Sequence, residues 1–318
     1  MTPSWSCSTW NGTPEVDADT FEALFQRVRN WGRWGEDDQR GTLNLLDDAA
    51  RAAAALVVRS GRTVSLSHDL DTLAGPDNGR PALHYMTQQC DVALGEPRVN
   101  TDFIGVDFHG KSVTHVDALC HCSFRGRLYN GIDSSHSVDS TGGSVGTVEQ
   151  MRDGVVGRGV LVDLPRARGA EWVEPGAGVG PDELVETLAA QGTARLSGDI
   201  VLVRTGHRRR REVLGAWDPS HHSAGLAPES MEWLHASDAA LLGGDGDSDS
   251  RPSSVDGVDS PIHALALAAM GLPLIDNMNL EDLAQACSAE GRWDFLFVMA
   301  PLRVPGGTGS PVNPLAVL

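Results

Sequence analysis

Hydrophobic and polar positions along this chain follow two periods, and the switches between them outline its elements. From Asp19 to Trp31 the apolar residues Phe21, Leu24, Phe25 and Val28 recur at helical spacing, and Trp31-Gly-Arg-Trp-Gly35 breaks the run. Asp47 to Arg59 is Ala-rich and predicts a second helix ending near Ser60-Gly61. Thr63 to Ser67 alternates and predicts a strand, with further short strands at Ala82 to Met86 and Phe103 to Phe108. Gly159 to Asp163 and Asp199 to Arg204 are apolar and β-branched, as buried strands are. Ala239 to Gly243, Leu272 to Ile275 and Phe295 to Leu302 complete the strands. Between them Pro181 to Gln191 predicts a helix, with proline and acids at the end where the helix dipole favours them. Pro228 to Ala236, His263 to Met270 and Glu281 to Cys287 predict three more. Asp245 to Pro261 is a loop rich in Asp, Ser, Gly and Pro, a Gly/Pro tail closes the chain, and residues 1–17 form a polar, loosely held arm.

Helices and strands are mixed without a regular βαβ alternation, repeat or linker. The expectation is one α/β domain over residues 1–318, an N-terminal arm with helices over 1–60 and a catalytic core over 61–318. The 318 residues are 41 % hydrophobic and 21 % charged, ordinary for a packed globular chain, and 36 glycines favour a turn-rich, β-containing fold. A net charge of -18 repels nucleic acid and anionic membranes, so neither is expected as a partner. Cys7, Cys90, Cys120, Cys122 and Cys287 are odd in number and scattered, which argues for free thiols in a reducing cytoplasm rather than a disulfide framework. The N-terminus lacks the order of a signal peptide, and no apolar run is long enough for a membrane span.

Chemistry concentrates in Phe108-His-Gly-Lys-Ser-Val-Thr-His-Val-Asp-Ala-Leu-Cys-His121. His115 and Asp117 are two apart, so on a strand both face the same way, ~6.5 Å apart at their Cα atoms. His121 shares that face if the strand continues or a helical turn begins. Imidazole and carboxylate together suit Zn²⁺, Mn²⁺ or Fe²⁺, and a water on such an ion attacks carbonyls near neutral pH. Cys120-His121-Cys122 has the look of a soft-metal clip, but successive residues of an extended segment face opposite ways, and no second cysteine pair completes it.

On these residues the chain resembles the cyclase/kynurenine formamidase-like family, whose signature has the form H-x-G-T-H-x-D-x-x-x-H; Thr114-His115-Val116-Asp117 and the spacing to His121 match its second half. Asn30 to Asn44, Tyr129-Asn-Gly131, Val201 to Gly206, Pro261-Ile-His263 and Gly306 to Pro314 are similar to longer members. The resemblance implies a swivelling β/β/α sandwich, a homodimer or homotetramer, and one or two divalent ions, Zn or Mn. It also implies metal-dependent hydrolysis of an amide, cyclic amide or ester in a small molecule, formylkynurenine and isatin being examples. A cyclase or dehydratase of polyketide-type biosynthesis is the alternative. His115 and Asp117 match metal ligands, with Asp117 able to bridge two ions, and His121 matches the catalytic base. The first ligand falls at Lys111, so His109 is expected to replace it by a different local path; His263 and Asp276 are the counterparts of the second metal's ligands.

Other groups rank lower. Trp31, Trp34 and Trp293 read first as core, and Trp34, His222 and Arg204 are carried as candidate substrate contacts. His221-His222 and the basic run His207 to Arg211 read as solvated loops, the run with a secondary option of binding an anion or a partner subunit. Asp245-Gly-Asp-Ser-Asp249 opens like a calcium loop but has Asp256 at its twelfth position in place of glutamate. Gly306 to Gly309 lacks the Lys-Ser/Thr of a phosphate loop, and Ser112 and Thr114 lack a nucleophile elbow.

Overall fold

The computed structural model describes residues 16–90 and 96–318, so most of the predicted N-terminal arm, with Cys7, lies outside the described residues. Its centre is a nine-stranded mixed sheet of β1 (Thr63–Ser65), β2 (His115–Asp117), β3 (Val155–Asp163), β4 (Ile200–Arg204), β5 (Leu241–Gly244), β6 (Leu274–Asp276), β7 (Asp294–Met299), β8 (Gly309–Pro311) and β9 (Leu315–Val317). The spatial order is β1-β9-β7-β3-β4-β5-β6-β2-β8. Strands β3 to β6 run parallel, and antiparallel strands flank them on both sides. The carboxyl ends of the four parallel strands therefore gather at one edge, where open α/β sheets bind their ligands.

The alternation along these strands builds two cores. Val160, Val162, Val201, Val203, Leu242 and Leu274 face one way, onto α1 (Ala18–Arg27), α4 (Pro181–Ala190) and α6 (Ser230–Ala236). Leu161, Ile200, Leu202, Leu241, Ile275, Phe295 and Phe297 face the other, with residues of α8 (Glu281–Glu290). Asp17 and Asp47 accept the N–H groups of Thr20 and Ala50, each at 2.7 Å, and so cap α1 and α2 (Asp48–Ala55). This arrangement of a curled mixed sheet with helices on both faces agrees with the fold expected from the sequence.

Several elements differ from expectation. The basic run is not a loop: His207–Leu214 is helix α5. Its start is fixed from a distance, because Asp245 accepts N–H bonds from Thr205, Gly206 and His207 at 2.7–3.1 Å. Its arginines are neutralised locally, Arg211 by Asp77, Arg209 by Glu171 and Arg208 by Glu212. The Gly/Pro tail contains β8 and β9, whose pairing with β2, β1 and β7 is long-range and leaves little periodicity. The predicted helix from His263 starts earlier, at Pro261, and Ala264–Met270 has π-helical winding. Cys120 enters one core and Cys122 packs against the other, so they do not form a clip.

Candidate metal centre

Strand β2 lies between β6 and β8, which sets the site. His115 sits opposite Asp276 on β6, and Asp117 opposite Gly309 on β8. Both β2 side chains are buried and share a face. Beyond Asp117 the chain turns, with His121 N donating to Ala118 O at 2.9 Å, and returns the His121 ring to Asp117. His109 arrives from the preceding loop; its Nε2 lies 3.0 Å from Thr308 Oγ1, and its ring stacks on His121 with centroids 4.0 Å apart and 9° between planes. Gly309 permits this approach, since a Cβ there would lie 2.9 Å from His109 Cε1 and 2.5 Å from Val116 O.

Four imidazoles surround the Asp117 carboxylate. Oδ1 is 3.0 Å from His109 Nδ1, 3.5 Å from His115 Nε2 and 3.9 Å from His121 Nε2, and Oδ2 is 3.6 Å from His263 Nε2. Both oxygens and His109 Nδ1 are fully buried without a hydrogen-bond partner. A buried carboxylate normally has partners, because removal from water otherwise costs several kcal/mol. The spacing has another explanation. Ligand atoms ~2.0–2.2 Å from a common Zn²⁺ lie roughly 3–3.5 Å apart. His115 Nδ1 must donate to Val113 O at 2.8 Å, because a carbonyl only accepts, so Nε2 is the ring nitrogen left to face Asp117 and a shared ion. His109, His115 and Asp117 can hold one ion, and Asp117, His121 and His263 form a second convergent triad.

On the far side His263 Nε2 also lies 3.4 Å from Asp276 Oδ2, and His263 Nδ1 lies 2.6 Å from Asp249 Oδ2. Asp276 Oδ1 accepts from Ser248 Oγ at 2.8 Å. Asp247 completes a third triad with His263 and Asp276, but it is already paired with Lys111 and with Arg251 Nε, the latter at 2.8 Å. Lys111, at the position of the expected first ligand, thus points to Asp247, and His109 approaches Asp117 in its place.

Electrostatics follow from burial and neighbours. Burial pushes the Asp117 carboxyl up, yet His109 and His263, then His115 and His121, hold it well below the usual carboxylate range. Burial pushes His121 down to about 4 against the pull of Asp117, so near neutrality it is an uncharged imidazole with a free lone pair. Burial disfavours charge on His263, but Asp117, Asp249 and Asp276 outweigh it and raise it well above the ordinary histidine range. Burial raises Asp249, whereas His263, Lys111 and Arg251 overcome burial at Asp247 and hold it far below the ordinary value.

The remaining candidates lie elsewhere. Arg204 is on the wall of a neighbouring cavity of about 1240 Å³, bonded to Asp163 Oδ1 at 2.6 Å and to Glu281 at 2.7 and 3.1 Å. Trp34 is half-buried beneath the Arg33 guanidinium, 4.6 Å from its ring centroid, and lines neither cluster nor cavity. His222 is exposed, and its carbonyl accepts the Trp217 indole N–H at 2.7 Å. Asp247 and Asp249 were not among the expected site residues. The three acids at alternate positions 245, 247 and 249 go to a helix end, a cation pair and an imidazole, so they do not enclose a calcium ion. Acids at every second position directly after a buried strand were the available signal.

The chain resembles proteins of known family and structure. Residues 51–248 match the Cyclase family model. A crystal structure of a novel cyclase is 30 % identical, with a TM-score of 0.82 over 92 % of this chain and 99 % of that one. Isatin hydrolase A from Ralstonia solanacearum shares the fold at 22 % identity and TM-score 0.57, covering 85 % of this chain and 97 % of its own. An isatin hydrolase bound to the product analogue thioisatinate does so at 19 % and 0.56, covering 81 % and 92 %. A search of curated proteins gave no match. No helix among the described residues is long and apolar enough to cross a membrane. The family model spans more than half of the 318 residues and the solved cyclase nearly all of them, and the chain belongs to the cyclase family.

Proposed function

We propose that this protein is a metal-dependent hydrolase of an amide, cyclic amide or ester bond in a small molecule. The observation that carries the reading is the Asp117 carboxylate, buried with both oxygens unpartnered inside a ring of four imidazoles. That donor set suits Zn²⁺ or Mn²⁺. His109, His115 and Asp117 would hold one ion, and His263 and Asp276, with the second Asp117 oxygen, a further one. A bound ion supplies Lewis acidity toward a carbonyl and a water acidified to near neutral pH.

The chain's own groups provide the rest. The His115 and Val113 carbonyl bond fixes which ring nitrogen faces the site. His121 is held by its stack on His109, is partly exposed, and carries its Nε2 toward Asp117; it is assigned the role of moving the proton between water and leaving group. Likeness of fold to isatin hydrolases makes a cyclic amide fused to an aromatic ring the first substrate class to test.

The experiment is metal analysis of the purified protein beside its His115→Ala and Asp117→Ala variants, with hydrolysis of isatin and simple anilides assayed in ¹⁸O-water. The expected result is metal in the wild type, none in either variant, and label in the product. Variants that keep both metal and wild-type rate sink the reading, and unlabelled product moves the chemistry from hydrolysis to cyclisation or dehydration.

A further inference from the structure

Asp249 touches no group assigned to the reaction except through His263. The carboxylate is fully buried, with its two oxygens used differently: Oδ1 accepts the Ile262 N–H at 2.6 Å and Oδ2 meets His263 Nδ1 at 2.6 Å. His263 follows directly after Ile262, so one carboxylate grips the backbone of the short helix Pro261–His263 and the ring it carries. The backbone of Asp249 is itself held, because its carbonyl accepts from Ser223 Oγ at 2.9 Å. Gly225 lies so close that a Cβ there would be 2.3 Å from the Asp249 carbonyl carbon. A carboxylate this firmly placed leaves the imidazole little freedom to rotate.

We infer that Asp249 is a positioning residue: by accepting the Nδ1 proton of His263 and the Ile262 amide proton, it directs His263 Nε2 at the gap between Asp117 and Asp276. Nε2 lies 3.6 Å from Asp117 Oδ2 and 3.4 Å from Asp276 Oδ2, a ligand-like spacing. Carboxylates that orient a metal-bound imidazole in this way also raise its basicity, and their loss typically costs 10–100-fold in metal affinity. Asp247, two residues earlier, is occupied by Lys111 and Arg251 and lies 3.9 Å from His263 Nδ1, too far to replace Asp249. The inference rests on the metal-centre reading for its consequence, but not for the hydrogen bond itself.

The test separates the two. In full-length metal-free protein labelled with ¹⁵N-histidine, the His263 ring, assigned by loss of its signals in His263→Gln, should carry a strongly hydrogen-bonded proton on Nδ1. In Asp249→Asn one carboxylate oxygen becomes an NH₂ and the other a neutral amide acceptor, so the signal should vanish or move toward that of an ordinary, weakly bonded ring proton. Zn²⁺ affinity at the weaker-bound step, from chelator competition, should fall about 10–100-fold, while the His115 side keeps its ion. An Nδ1 that carries no carboxylate-bonded proton in the wild type overturns the inference whether or not Asp249→Asn folds. So does an Asp249→Asn protein with unchanged Zn²⁺ affinity. A wild type that takes up no Zn²⁺ yet shows the bonded Nδ1 proton removes the hydrolase reading and leaves the positioning bond in place.

Discussion

Two highly charged regions adjoin at the carboxyl ends of the parallel strands, and they treat charge in opposite ways. In the cavity beside Arg204 the buried charges are matched. Arg204 joins Asp163 and Glu281, Arg211 joins Asp77, and Asp245 caps α5. In the imidazole cluster Asp117 is more deeply buried than Glu281 and has no hydrogen-bond partner. Size and charge density alone would have pointed to the cavity, and the unsatisfied atoms point to the cluster. Matched charges hold a fold together, whereas a buried carboxylate left without partners indicates something the chain is built to receive.

The largest effect should come from breaking a matched set. Arg204→Leu leaves Asp163 and Glu281 facing each other with no cation between them, and unfolding free energy in urea should fall by about 3–5 kcal/mol. Its metal content should be unchanged. Asp117→Asn should behave the opposite way, losing the ion while costing the metal-free protein less stability than Arg204→Leu does. If Arg204→Leu loses metal with little change in stability, the contrast between the regions is wrong.

Lys111 stands on the boundary, lining the cavity while its ammonium pairs with Asp247. Lys111→Met removes one of two cations from a wholly buried carboxylate; Arg251 remains, so a loss of about 2–3 kcal/mol is expected. Metal content should stay at the wild-type ratio, because the Lys111 contact runs to Asp247 and none is made to Asp117. A folded Lys111→Met protein that holds no metal would put Lys111 inside the cluster and erase the boundary.

Much of this was legible in the sequence for a physical reason. His115 and Asp117 share a face because a strand has period two, and that holds whatever surrounds them. The buried strands β3 and β4 declared themselves by content, since a strand covered on both faces must be apolar throughout. What the sequence concealed is non-local. Helix α5 is a run of basic residues whose start depends on Asp245, about forty positions away. Strands β8 and β9 exist because β2, β7 and β1 offer them edges. Asp249 is one acid among several in a polar loop until the fold places Ile262 and His263 against it. Arg204 and His222 carry side chains suited to substrate contact, but residue type does not reveal that one is spent on ion pairs and the other faces solvent.

The smallest expected effect is on the cavity side and depends on pH. His68 lines the cavity near Arg208, His207 and Arg211; burial first, and then these neighbours, push it down to about 4 from an ordinary 6.5. The folded state therefore resists protonating a group that the unfolded chain protonates freely. Its contribution is complete above about pH 6.5 and is lost as pH falls toward 4. At pH 6 the loss amounts to about 1 kcal/mol. His68→Gln removes the titration without adding charge, so its stability relative to wild type should rise by that amount between pH 7.5 and 6, read from urea midpoints on metal-free protein. His121 is pushed down similarly but is present in both proteins, so its effect cancels in the difference. A stability difference independent of pH would mean that His68 is free to charge in the folded cavity, and the cavity would then lose its description as a region of settled charge.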